Sequence, residues 1–110
     1  MSGGANWLTQ FRGVSPEYLD IKRWTIRRGA FFSDDDVRTA KPVVVIGDTV
    51  RRVLFDDVDP IGEQIRIMSS SFVVVGVLGS KGVSASGQDQ DDTLMMPWTT
   101  ARARIVGKNV

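Results

Sequence analysis

The 110-residue sequence predicts an α+β domain: a mainly antiparallel or mixed sheet with three to four short helices. Three observations carry this. Two β-branched runs, Val43-Val44-Val45-Ile46 and Phe72-Val73-Val74-Val75, have the continuity of buried strands. The alternation of Ile65 and Ile67 with Gln64 and Arg66 leads through Ser69-Ser70 straight into the second run, so adjacent strands should form an antiparallel hairpin, expected at the centre of the sheet. The helix-start signals, Ser15-Pro16, Ser33-Asp34-Asp35-Asp36, Asp48-Thr49 and Met96-Pro97, open segments too short to be regular crossovers between parallel strands.

Taken in chain order, Trp7, Thr9 and Phe11 alternate with Leu8, Gln10 and Arg12, a period of two that suits a first strand running into Gly13. Ser15 as N-cap and Pro16 in the first turn predict a short helix to Lys22 that buries Tyr18, Leu19 or Ile21. Trp24 to Arg28 reads as extended and is broken by Gly29. Ser33 then caps a helix whose first-turn acids, Asp34, Asp35 and Asp36, complement the free N–H groups and the positive dipole end. After the strand at Val43–Ile46, Asp48 or Thr49 should cap a helix with Val50, Val53 and Leu54 inward and Arg51 and Arg52 outward. The stretch Gly79 to Asp92 holds almost nothing apolar and reads as a long loop without apolar side chains to anchor it, expected to be the most mobile internal segment. Thr93 to Met96 is a last strand, and Pro97 starts a helix with Trp98, Ala101 and Ile105 on one face, ended by Gly107. One domain is expected over 10–107, preceded by a lead-in strand over 1–9 and followed by a tail over 108–110. The small-residue opening Met1-Ser2-Gly3-Gly4 reads as the start of a piece excised from a longer protein.

Composition narrows the chemistry. With 42% hydrophobic and 25% charged residues the chain is that of a folded, soluble domain. Cysteine and histidine are both absent, which removes disulfides, thiolate nucleophiles, the Ser-His-Asp triad and the commonest transition-metal ligand. No apolar run approaches the length needed to span a bilayer. Net charge is +1, too small to signal nucleic acid by itself.

The most chemical-looking stretch is Leu54 to Ile67, where Asp56, Asp57 and Asp59 crowd beside Pro60 and Gly62. As a calcium loop beginning at Asp57 it fails, because Ile61 and Met68 fall where oxygen ligands are required. Pro60 and Gly62 are what a chain needs to leave a helix and turn into a strand, so the segment reads as a turn. A hydrolase using Asp57 and Asp59 would need divergent carboxyl pKa values in one cleft, which an exposed turn does not supply. Asp89, Asp91 and Asp92 lie in a polar loop and read as solvated, and Gly82 to Gly87 misses the nucleophile elbow by one residue. Neither a phosphate-binding loop nor a dinucleotide glycine pattern occurs. No catalytic residue, metal ligand or cofactor is therefore assigned. Lys22-Arg23-Trp24 with Arg27 and Arg28 mixes cations and an aromatic, and supplies the alternative reading of a small nucleic-acid-binding module over 22–28. Its rival is an extended segment with Trp24 packed inward and the cations in solvent.

The order of short motifs goes further than any one of them. Gly13-Val14-Ser15-Pro16-Glu17-Tyr18, Arg28-Gly29-Ala30-Phe31-Phe32-Ser33, Val43-Val44-Val45-Ile46-Gly47, Leu54-Phe55, Asp59-Pro60-Ile61-Gly62, Ile65-Arg66-Ile67, Phe72-Val73-Val74-Val75-Gly76-Val77 and Met96-Pro97-Trp98-Thr99-Thr100-Ala101 together resemble the MacB-like periplasmic core domain of ABC transporter permeases, from about Gln10 to Gly107. Asp56 replaces a frequent glycine of that family, and Met68-Ser69-Ser70 a glycine-containing turn.

The resemblance implies a non-enzymatic extracytoplasmic domain of a MacB/FtsX-type permease, its inner Sabre part without the flanking Porter segments. The ATPase domain of such systems lies elsewhere. The implied partners are the transmembrane and ATPase parts of the parent transporter and a periplasmic adaptor or lipoprotein, with no nucleic acid. In that family the domain is an insertion, so Trp7 and Gly107 are expected on the same side. The contact surface is expected on the polar loop, with Lys81, Gln88, Asp89, Asp91 and Asp92 as its polar groups.

Overall fold

Strand β5 (Ser70–Leu78) is the spine of the domain, and its β-branched composition explains why: it pairs on both edges and buries side chains on both faces. The computed structural model describes residues 10–67, 70–82, 85–87 and 89–103. Along one edge of β5 runs β3 (Val43–Ile46), parallel to it. Along the other lie two antiparallel partners, β4 (Gln64–Ile67) beside the first half of β5 and β2 (Ile26–Gly29) beside its end. Beyond β3 come β6 (Thr93–Pro97), antiparallel to β3, and the edge strand β1 (Gln10–Val14), parallel to β6. The sheet is mixed. The expected hairpin is present as β4 and β5, but only β5 is central. β4 pairs with β5 alone and so forms part of a margin.

Alternation along the strands divides the core into two clusters. Val44, Ile46, Val74, Leu94 and Met96 face one way and meet Val50 and Phe55 of helix α3 (Asp48–Phe55). Val45, Leu78 and Met95 face the other way and meet Leu19 of helix α1 (Tyr18–Lys22), Phe32, and Val37 of helix α2 (Asp34–Arg38). The register shift between Val44 and Val45 leaves Val75 as the extra residue on β5, so that Val74 and Val77, three positions apart, enter the same cluster.

Several helix expectations hold and others are corrected. Ser33 caps α2 as a full capping box, its Oγ accepting from the Asp36 N–H while the Asp36 carboxylate accepts from the Ser33 N–H. α1 starts later than expected: Glu17 is its N-cap without a side-chain bond, and Ser15 contributes its carbonyl to the Tyr18 N–H instead. Leu19 is its buried residue, while Ile21 stands in solvent. In α3 the N-cap is Gly47, because the Asp48 carboxylate is held by arginines and the Thr49 hydroxyl donates to Asp89. Val53 is exposed, and Phe55 takes the inward place. Arg51 is not opposite the core: it folds back, bonding the Asp48 carboxylate and the Asp56 carbonyl.

Helix α4 (Trp98–Ala101) follows β6 directly and packs on β1, where a Cβ added to Gly13 would lie 2.9 Å from the Ala101 Cβ. Ala101 reaches the core, but Trp98 is turned outward under the Arg102 guanidinium, which lies 5.2 Å from its ring centroid. Both ends of the described chain thus run along one margin of the sheet. Trp7, Ile105 and Gly107, on which the expectations about the first strand, the last helix and the termini rest, lie outside the described residues.

Candidate functional site

The loop 79–92 leaves β5 and returns to β6, and a buried carboxylate fixes its two limbs. Asp91 is 3% exposed. Its two oxygens accept from the Ser80 hydroxyl (2.8 Å), the Lys81 N–H (2.8 Å) and the Gly82 N–H (3.1 Å). An ionised carboxylate is an acceptor only and can take several donors, so three converging donors compensate for much of its lost hydration. The backbone adds Gln90 N–H to the Gly82 carbonyl, 3.1 Å. The absence of apolar anchors does not leave the described limbs untied: their anchor is polar, and a search for apolar side chains misses it.

The outgoing limb is tied to the segment between α1 and β2. Gly79 donates to the Thr25 carbonyl (2.8 Å), and the Trp24 indole Nε1 donates to the Gly79 carbonyl (2.7 Å). Lys81 then lays its ammonium 5.2 Å from the Trp24 ring centroid and donates to the Lys22 carbonyl at 3.0 Å.

The returning limb crosses the start of α3. Gly47 donates to the Thr93 carbonyl (2.8 Å) and Thr49 to the Asp91 carbonyl (3.3 Å). A side chain at Gly47 would collide with that Asp91 carbonyl, so this close approach requires glycine. Asp89 bridges the two elements, accepting from the Thr49 hydroxyl (2.7 Å) and from the Asp91 N–H (2.9 Å). These bonds, the Thr49 hydroxyl first, hold the Asp89 carboxyl below its ordinary pKa.

Of the expected contact residues, Lys81 and Asp89 reach the surface, and Asp92 is half-buried with its N–H directed at the Asp89 carbonyl. Asp91 is interior, so its part is to shape the loop, not to touch a partner. Gln88 lies outside the described residues, as does Ser84 of the near-miss nucleophile pattern.

The other two candidate segments resolve differently. In the turn after α3, Asp59 accepts from the Ile61 N–H at 3.1 Å and lies 3.6 Å from Arg28, a local turn bond and a loose ion pair. Asp56 and Asp57 are exposed beside it, on the rim of a shallow cleft shared with Arg27, Arg28 and Arg51. Among the described residues no three His, Cys, Asp or Glu side chains converge as metal ligands.

In the segment 22–28, Trp24 is half-buried in the second core cluster with its N–H consumed and Lys81 over its ring. Arg27 points away from it, to Asp48 at 3.2 Å. Asp48 also takes Arg51 at 3.0 Å and Arg52 at 3.5 Å, and composition gave no sign that this one carboxylate would gather three guanidiniums. A carboxylate in the first turn of a helix, followed three and four residues later by arginines, is the one local signal that could have pointed there.

Comparison with known proteins places this architecture. The whole chain, residues 1–110, matches the family model for the MacB-like periplasmic core domain. It is 38% identical over 98% of its length to a macrolide export ATP-binding/permease protein MacB of Syntrophobacter fumaroxidans, of which it spans 15%. It is 45% identical over 94% of its length to the protein of the same description from Bdellovibrio bacteriovorus, of which it spans 16%. The crystal structure of the periplasmic region of MacB from Actinobacillus actinomycetemcomitans superposes with a TM-score of 0.74 and 25% identity, covering 86% of this chain and 40% of that one. No helix among the described residues is long and apolar enough to cross a membrane. The motif order, the mixed sheet and these matches agree: the chain belongs to the MacB-like periplasmic core domain family.

Proposed function

We propose that this domain serves as a periplasmic contact element of an ABC transporter permease, without catalysis of its own, and that it passes motion between the transporter's ATP-driven parts and whatever docks on it. Its partners on this reading are the transmembrane and ATPase parts of the parent transporter and a periplasmic adaptor or lipoprotein. The observation that carries the proposal is the built loop 79–92. A polar surface element buries few apolar groups to offset roughly 1 to 2 kcal/mol of backbone entropy per ordered residue, yet here both limbs are tied down by a saturated buried carboxylate. A preformed surface binds with less ordering cost than a floppy one.

The sequence contains no cysteine, which makes the test direct. Ser86→Cys, carrying a photo-crosslinker, is placed in the complete permease assembled with its adaptor, beside a control at Arg66→Cys on β4. Crosslinks to the adaptor from residue 86 and none from residue 66 are expected. Equal yields from both, or none from residue 86, would contradict the proposal.

A further inference from the structure

Six basic side chains of this domain are neutralised from within. Arg27, Arg51 and Arg52 pair with Asp48, Arg28 with Asp59, Arg38 with Asp35, and Lys41 with Asp35 and Asp36. Lys22, Arg23, Arg66, Lys81 and Arg102 are exposed and take part in no ion pair among the described residues, and of these Lys22, Arg23 and Lys81 stand together.

The three converge at the C-terminal end of α1. Arg23 is the left-handed C-cap residue (φ 55°), and its N–H returns to the Asp20 carbonyl at 3.2 Å. Lys81 arrives from the loop and donates to the Lys22 carbonyl at 3.0 Å, which brings its ammonium next to the same helix end. Two aromatic rings form the floor: Trp24 lies 5.2 Å from Lys81 Nζ and Tyr18 lies 5.9 Å from Lys22 Nζ. The carboxylates nearby do not cancel the charge. Glu17 and Asp20 of α1 form no ion pair with these cations, and Asp91 is buried and saturated by Ser80, Lys81 and Gly82.

From this convergence we infer that Lys22, Arg23 and Lys81 form the docking patch for an acidic segment of a partner protein, an inference resting on the reading of the loop 79–92 as a contact surface. The rings decide between an acidic peptide and a nucleic acid. Base recognition on a single strand needs an accessible aromatic face. The Trp24 ring is half-buried against the core, bonded through Nε1 to Gly79 and overlain by Lys81, so little of its face is offered for stacking and charge pairing remains. A partner carboxylate would draw Lys81 away from the Lys22 carbonyl and the indole, so Trp24 reports occupancy. Exposed pairs of this kind raise association rate and specificity and weaken with salt.

The test is titration of this domain with octaglutamate, octaglutamine and an octathymidylate strand, following the Trp24 indole N–H resonance at low and high salt. The patch variant combines Lys22→Gln, Arg23→Asn, which tolerates the left-handed backbone, and Lys81→Gln, and Lys41→Gln is the control. Octaglutamate should shift the Trp24 resonance saturably, and the patch variant should bind about tenfold more weakly while the control is unchanged. Absence of saturable binding, equal binding by the patch variant, or tighter binding of octathymidylate than of octaglutamate would overturn the inference. Crosslinking separates its failure from that of the contact-loop reading. Full crosslinking from residue 86 in the patch variant overturns the patch and leaves the loop reading standing. Loss of crosslinking in wild type, with octaglutamate still bound through Trp24, sinks the loop reading and leaves the patch supported.

Discussion

The turn after α3 and the loop between β5 and β6 each carry three aspartates: Asp56, Asp57 and Asp59 in one, Asp89, Asp91 and Asp92 in the other. Their fates are opposite. In the turn, the Asp59 side chain keeps 59% of its surface in water and its one close bond is to the N–H two residues on. In the loop, Asp91 keeps 3% and gathers three donors from the opposite limb. What an acidic cluster does is decided by how many donors the fold turns toward it, and the density of acids along the chain says little. Both clusters place three acids in four positions, and only the turn leaves all three charges in solvent.

Substitutions can break this comparison. Asp91→Ala should have the largest effect, about 3 kcal/mol by urea unfolding, since it strands the Lys81 and Gly82 N–H groups under the loop. Asp57→Ala in the turn should stay within about 0.5 kcal/mol. Equal losses would erase the distinction between the two segments.

The glycines sharpen it next. Gly47→Ala should cost about 2 kcal/mol, because the added methyl meets the Asp91 carbonyl, a backbone atom that cannot step aside. Gly62→Ala, in the turn, faces open space and bears only the strain of its positive φ (+90°), about 1 kcal/mol. Thermal unfolding of the pair should preserve that order.

The smallest effect is a pH dependence. Asp89 and Asp36 both have pKa values lowered from the ordinary 3.8, Asp89 chiefly by the Thr49 hydroxyl and Asp36 chiefly by the Ser33 N–H, with Lys41 adding to the latter. A lowered pKa means that the folded state binds the proton less readily than the unfolded state. The stability these groups contribute is therefore complete above 3.8 and is lost as pH falls through their lower folded values. In Asp36→Asn and Asp89→Asn variants, the acid limb of the stability profile should be shallower than in wild type. A wild-type limb in both would contradict these pairings.

Much of the fold was legible because its signals are local. The β-branched runs, the Ser33 cap and the Pro60–Gly62 turn each follow from residues within a few positions of one another. Long-range choices were not legible. That Val53 faces solvent while Phe55 turns inward depends on how α3 sits above the sheet, and the margin position of β4 depends on β2 sharing an edge of β5 with it. The candidate site divides the same way. The loop could be located from its polar composition, but its anchor is an aspartate ten residues from the Lys81 N–H it holds. Sequence reads a lone polar residue as solvated unless its partners stand nearby.

Hydrogen exchange at Lys81 and Gly82 in the free domain tests most directly whether a buried carboxylate builds this loop. In wild type these two amides should be protected well beyond a solvent-exposed loop, and in Asp91→Asn, which weakens the acceptor while keeping its shape, their protection should fall while the amides of β3 and β5 keep theirs. Exchange of Lys81 and Gly82 at the rate of an open chain in wild type would contradict it.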